Sequence, residues 1–165
     1  MTAKIILSVL IIAFTSFCGY LLTKKYRKKK LFYLQFYEFN ERFLNEIAYY
    51  RRPLAEFVEK YPYKGEFKSL LLDFFNRIKR AEATLGFVYA NDEIDFLTKQ
   101  EKAEADDYFH MLGKGDSASQ KAFFSTEKER LKGRLQGAEL QYKRYGDLYV
   151  KLGFLCGLFI IILII

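Results

Sequence analysis

Two long runs without a charge frame this chain, one near each end, and between them apolar residues recur at helical spacing. Ile5 to Thr23 is dominated by Ile, Leu, Val, Phe and Ala. As a helix it would rise about 28 Å, close to the hydrocarbon thickness of a bilayer. The second run, from Leu152 to Ile165, reads LGFLCGLFIIILII. It gives only about 21 Å of helix, or roughly 25 Å counted from Tyr149 with Lys151 snorkelling to the interface. That is a short second anchor or a deeply inserted tail, because an exposed run so apolar would drive aggregation.

The middle of the chain reads as a series of amphipathic helices. Phe32, Phe36, Phe39, Phe43, Ile47 and Tyr50 recur at steps of three and four. Pro53 interrupts or restarts that stripe, since proline fits the first turn of a helix and not its interior. Leu54, Phe57, Val58 and Tyr61 then share one face of a short helix. Tyr61-Pro62-Tyr63-Lys64-Gly65 is a turn, and Phe67, Leu70, Leu71, Phe74, Phe75 and Ile78 mark a further helix ending near Arg80. From Ala81 to Leu97 the pattern weakens: Leu85, Val88 and Tyr89 suggest a short helix, and Asn91-Asp92 a turn or a new N-cap. Thr98 with Glu101 three residues on is a capping box, opening a helix that runs to Leu112. Gly113-Lys114-Gly115 ends it, glycine being suited to the left-handed position after a helix.

Asp116 or Ser117 caps the last and longest helix. Its apolar positions are Phe124, Leu131, Leu135, Ala138, Tyr142, Tyr145, Tyr149 and Leu152. After a first step of seven they alternate between four and three, a coiled-coil-like seam that runs unbroken into the apolar end. No proline follows Pro62, so a single helix from Ser117 to Ile165 would be about 73 Å long. No alternating strand pattern of any length occurs. The fold expected is all-α: an antiparallel helical bundle between an N-terminal transmembrane helix and a long C-terminal helix that enters a short hydrophobic membrane segment. The divisions are 1–23 for the first anchor, 24–30 for a basic juxtamembrane segment, 31–150 for the bundle and 151–165 for the second anchor.

A net charge of +7 raises the question of a nucleic-acid partner, and the placement of the charges answers it. Residues 31–150 hold 19 basic and 20 acidic groups, so the excess is juxtamembrane. A nucleic-acid domain needs a basic face of its own, and that class is excluded. Lys24, Lys25, Arg27, Lys28, Lys29 and Lys30 follow the first apolar run directly. Positive residues stay cytoplasmic, which puts the N-terminus outside and the bundle inside, with the cluster resting on anionic headgroups. A cleaved signal peptide is disfavoured because no A-x-A-like site follows the run. Bulky Phe17 before Cys18 disfavours a lipoprotein.

Candidate chemistry is sparse. Cys18 and Cys156 lie inside the apolar runs and read as small buried hydrophobes. His110, the single histidine, has no nucleophile or carboxylate placed beside it by any recognisable spacing. Gly113 to Ser117 lacks the spacing of a phosphate loop, and no strand precedes it. Asn91, Glu93 and Asp95 open like a calcium loop, but Phe96 replaces the required glycine and Lys102 the bidentate glutamate. Glu101, Glu104, Asp106 and Asp107 read as a solvated acidic face. The chain is expected to be non-enzymatic, with no metal or other cofactor.

The order of its elements resembles the stage III sporulation protein AB family of endospore-forming bacteria. The resemblance rests on the basic exit from the first anchor and on Phe43-Leu44-Asn45-Glu46-Ile47-Ala48-Tyr49. Arg52-Pro53-Leu54-Ala55-Glu56 is similar to the family's T-P-L-x-E-A-L element, with Arg52 in place of threonine. Leu112-Gly113-Lys114-Gly115-Asp116-Ser117-Ala118-Ser119-Gln120 is similar to its L-G-x-S-D-x-x-x-Q turn, with Gly115 in place of serine. The resemblance implies a component of the channel joining mother cell and forespore, in the outer forespore membrane and facing the mother-cell cytoplasm. It also implies a cytoplasmic fold like the platform protein of type II secretion and type IV pilus systems. The expected partners are a secretion-type ATPase and other channel components. Pro53, Glu56, Gly113, Gly115, Asp116 and Gln120 would be the structural or partner-binding motif. The competing expectation is a generic membrane-anchored scaffold, self-associating through the seam from Phe124 to Tyr149.

Overall fold

The computed structural model describes residues 2–49, 61–80, 94–112 and 116–164. Among these every regular element is a helix: α1 (Thr2–Tyr49), α2 (Gly65–Lys79), α3 (Lys99–Met111) and α4 (Ser117–Ile164). Pro53 and the short helix expected after it lie outside the described residues, as do 81–93 and the glycines Gly113 and Gly115. α1 runs through Lys24 to Lys30 without a break, so the basic segment is itself helical. α4 is likewise one uninterrupted helix of 48 residues, as the absence of proline predicts.

The chain divides into two compact units, Leu31–Gln136 and the pair Met1–Lys30 with Gly137–Ile165. In the first, the stripe of α1 closes on aromatic residues of the other helices. Phe32, Phe36, Phe39 and Phe43 are buried, together with Phe67, Leu70, Leu71 and Phe74 of α2. Ala105, Tyr108 and Phe109 of α3 and Phe124 and Leu131 of α4 complete the core. Phe36 stacks on Phe67 at 5.2 Å and meets Tyr108 edge-on at 4.7 Å. Such pairs add about 0.5–1.5 kcal/mol each beyond the area they bury. Ile78, expected on the buried stripe of α2, is 45% exposed. It stands in the last turn, four residues beyond Phe74, the last buried residue of the helix.

The entry to α2 needs glycine. Gly65 has φ +63, and a Cβ there would stand 3.1 Å from Leu31 Cδ2. Beside it the Lys64 N–H donates to Gln35 Oε1 at 3.0 Å, tying the turn to α1.

The second unit is an antiparallel pair of apolar helices. Both are long and apolar enough to cross a membrane, with mean hydropathy 2.1 and 1.9 in their most apolar windows, of which only 11% is buried. They approach through small residues. A Cβ on Gly19 would collide with the Tyr149 carbonyl oxygen, and one on Gly153 would lie 2.5 Å from that of Thr15. At Gly157 it would lie 2.5 Å from Thr15 Oγ1. The spacing Gly153-x-x-x-Gly157 is the close-packing pattern of apolar helices, where no hydrophobic force drives association and backbone proximity replaces it. The heptad seam expected to end at Leu152 is therefore displaced: Leu152 is 44% exposed, and Gly153 takes its place.

Candidate functional site

The local caps stand where the sequence puts them. The Thr98 hydroxyl accepts from the Glu101 N–H at 3.2 Å, and the Glu101 carboxylate accepts from the Thr98 N–H at 2.9 Å. At the start of α4, Asp116 Oδ2 accepts from the N–H groups of Ala118 and Ser119 at 3.1 and 3.3 Å. The Gln120 N–H closes the first turn on the Asp116 carbonyl at 3.0 Å. Hydrogen bonds from the Ser119 side chain and backbone, with a smaller one from Ala118, hold the Asp116 carboxyl below its usual range. Asp116 and Gln120 are thus brought together as a helix start. Glu56, like Pro53, Gly113 and Gly115, falls outside the described residues.

The acidic face of α3 is only partly solvated: Asp107 is exposed and Glu104 half-buried. Glu101 and Asp106 are buried, and Arg134 of α4 draws the acids inward. Its guanidinium lies 2.6 Å from Glu104 Oε1 and 3.8 Å from Glu101 Oε1. Arg130 reaches the Glu104 carbonyl at 3.4 Å and Glu127 Oε2 at 2.7 Å. The cleft between these groups, lined also by Phe32, Tyr33 and Leu131, has room for little more than a water molecule. Burial, and then Glu101 beside it, push the Tyr33 hydroxyl far above its ordinary range. Burial pushes Tyr63 up to about 12 against the opposing pull of Arg42. These phenols stay protonated at physiological pH and serve as packing groups with a polar tip. The arrangement is a brace between α3 and α4, and it offers no space for a substrate.

Inward polar residues absent from the helical stripes include, besides Gln35, three more. Asn40 is fully buried: its Nδ2 donates to the Phe124 carbonyl at 3.0 Å, and its Oδ1 accepts from the Tyr108 hydroxyl at 2.9 Å. Glu46 is buried near the end of α1. Glu127 is buried in the gap of seven between Phe124 and Leu131, and that gap was the one available signal. Burial raises its pKa, with Arg130 opposing.

The cations of α1 divide by exposure. Lys24, Lys25 and Arg27 are exposed, and Lys28 and Lys29 partly so. Lys30 turns toward α4, 3.6 Å from Glu139 and 5.5 Å from the Tyr142 ring centre. His110 is half-buried in the last turn of α3. Cys18 and Cys156 are free thiols on the outer surface of the apolar pair, which corrects their reading as buried hydrophobes. Among the described residues no cluster of three or more His, Cys, Asp or Glu side chains is placed to hold a metal ion.

No curated protein and no solved structure matches the chain. The description of one family does, over residues 4–165, a span that takes in both apolar helices, the basic run and the aromatic unit. The chain belongs to the stage III sporulation protein AB family.

Proposed function

We propose that the chain is a non-enzymatic platform component of the channel complex between mother cell and forespore. In this reading α1 and α4 anchor it in the outer forespore membrane, and the unit Leu31–Gln136 faces the mother-cell cytoplasm. There it docks a secretion-type ATPase and further channel components, in the manner of the platform proteins of type II secretion and type IV pilus systems. Family membership over residues 4–165 is the observation that carries the proposal. Physical chemistry is compatible with it. Six cations follow the first apolar run, as the positive-inside rule requires for that orientation. The cleft at Arg134 has room for little more than a water molecule, which suits a protein that positions other proteins.

The test is co-purification of the intact protein with the ATPase from detergent-solubilised sporulating cells. Stoichiometric recovery, lost when residues 31–150 are deleted, is the expected result. Recovery of the protein alone or with itself refutes the platform role and favours a scaffold. Self-association through the seam would have to displace Phe124 and Leu131, which are buried within their own unit.

A further inference from the structure

We propose that the paired ends of α1 and α4 form a two-helix cationic belt that binds the phosphate headgroups of anionic phospholipids, an inference that rests on the reading that both apolar helices are embedded in a bilayer. The belt is assembled by the register of the pair. Tyr26 stacks on Tyr145 at 5.1 Å and on Tyr149 at 6.1 Å, and Lys30 pairs with Glu139 at 3.6 Å. These contacts set residues 24–30 of α1 beside residues 139–149 of α4. Lys24, Lys25 and Arg27 on one helix and Lys143 and Arg144 on the other are all exposed at that level.

The acids nearby do not cancel this charge. Glu139 is engaged by Lys30. Asp147 stands four residues from both Lys143 and Lys151, the spacing at which opposite charges meet on a helix, so it offsets one exposed cation of α4. With Lys151 included, an excess of five exposed cations is left around the two helices, from segments more than a hundred residues apart in the chain.

The surroundings select a lipid. The belt lies where the apolar run of α1 ends, and the Tyr26–Tyr145–Tyr149 stack sits within it, as aromatic residues do at a headgroup interface. One turn toward the apolar end from Arg144, and on the same face, Leu148 is 44% exposed. Arg144 thus offers charge to a phosphate while Leu148 offers apolar surface to the acyl chain below it. A guanidinium suits this role, since its planar fork engages two phosphate oxygens at once.

The experiment titrates the intact chain, purified in a nonionic detergent, with phosphatidylglycerol or phosphatidylcholine and counts bound lipid by native mass spectrometry. Phosphatidylglycerol should bind severalfold more tightly. K143Q/R144Q should weaken it by roughly tenfold or more at low salt, as should K24Q/K25Q/R27Q. K143R, which keeps both charges and the Arg144 fork, should retain binding, with helix content by circular dichroism unchanged in every variant. Equal binding of the two lipids overturns the proposal, and so does full preference in K143Q/R144Q. Displacement of lipid by inorganic phosphate, or by an oligonucleotide, overturns it in favour of another anion. Carbonate extraction of membranes separates the two levels. Protein released by carbonate refutes the embedded reading, whereas protein retained without lipid preference refutes the belt alone.

Discussion

The Tyr108 hydroxyl donates a hydrogen bond of 2.9 Å to Asn40 Oδ1, joining α3 to α1 inside an apolar core rich in aromatic residues. Asn40 passes the link on to the Phe124 carbonyl of α4 at 3.0 Å. Both side chains are fully buried. A polar clip in such a place is sensitive to deletion, because whichever partner remains keeps its desolvation cost and loses its bond.

Tyr108→Phe should therefore lower stability by about 1–3 kcal/mol, although it removes a single oxygen. Asn40→Ala should cost more, since it strands both the Tyr108 hydroxyl and the Phe124 carbonyl and leaves a cavity between them. Chemical denaturation of the detergent-solubilised chain reads both. A Tyr108→Phe protein as stable as wild type would show the clip to be energetically idle.

The glycines of α4 should fall into two classes. Gly153→Ala and Gly157→Ala push a Cβ into Thr15, whose hydroxyl is already tied back to the Ile11 and Ile12 carbonyls at 3.0 and 3.1 Å. Each should destabilise the pair by about 1–3 kcal/mol. At Gly133 and Gly137 an added Cβ meets nothing within 4 Å. Alanine there should be neutral or stabilising by about 0.5–1 kcal/mol, through helix propensity alone. Thermal melts of the four variants in one detergent compare the classes directly.

Arg134 should matter more than an arginine paired on the surface. Arg77 pairs with Asp73 at 2.9 Å at the usual i,i+4 spacing on a wet surface, and Arg77→Ala should change stability by no more than about 0.5 kcal/mol. Arg134→Ala leaves Glu101 buried and deprives Glu104 of its partner. A loss of about 1–3 kcal/mol is expected, between the limits for surface and buried pairs. Equal effects from the two substitutions would contradict the bracing role of the α3 acids.

Two carboxylates should give pH dependences of opposite sign. The folded-state pKa of Asp116 is lowered, so its contribution is present above the unfolded value and is lost as pH falls through the folded one. Asp116→Asn keeps an N-cap and should flatten stability in that acid window, whereas Asp116→Ala should lose the cap as well. The pKa of Glu127 is raised by burial, so stability falls as pH rises from its unfolded value through its folded one. Glu127→Gln should remove that slope. Denaturation midpoints measured across the acid range, from below the usual carboxylate values to neutrality, test both signs.

What was legible in the sequence was local. The capping box of Thr98 and Glu101 and the cap at Asp116 involve partners two or three residues apart, so their chemistry is contained in a short window. The stripes of α1 and α2 were legible for the same reason, as far as Phe43 and Phe74. The burial of Glu101 was not, because a helix of mixed charge has no preferred side until Arg134 arrives from α4 to pair with Glu101 and Glu104.

By itself, the sequence determined that every regular element among the described residues is a helix, that its ends are apolar enough to span a bilayer, and where α3 and α4 begin. Hydrogen bonds within one turn and the 3.6-residue period carry that information, and neither depends on a distant partner. Only the tertiary structure decided that Asn40 and Glu127 turn inward and that Gly153 displaces Leu152 from the seam. It also decided that Tyr26 meets Tyr145. Those outcomes depend on the register between segments far apart in the chain, which is set by the shape and backbone proximity of the surfaces that meet.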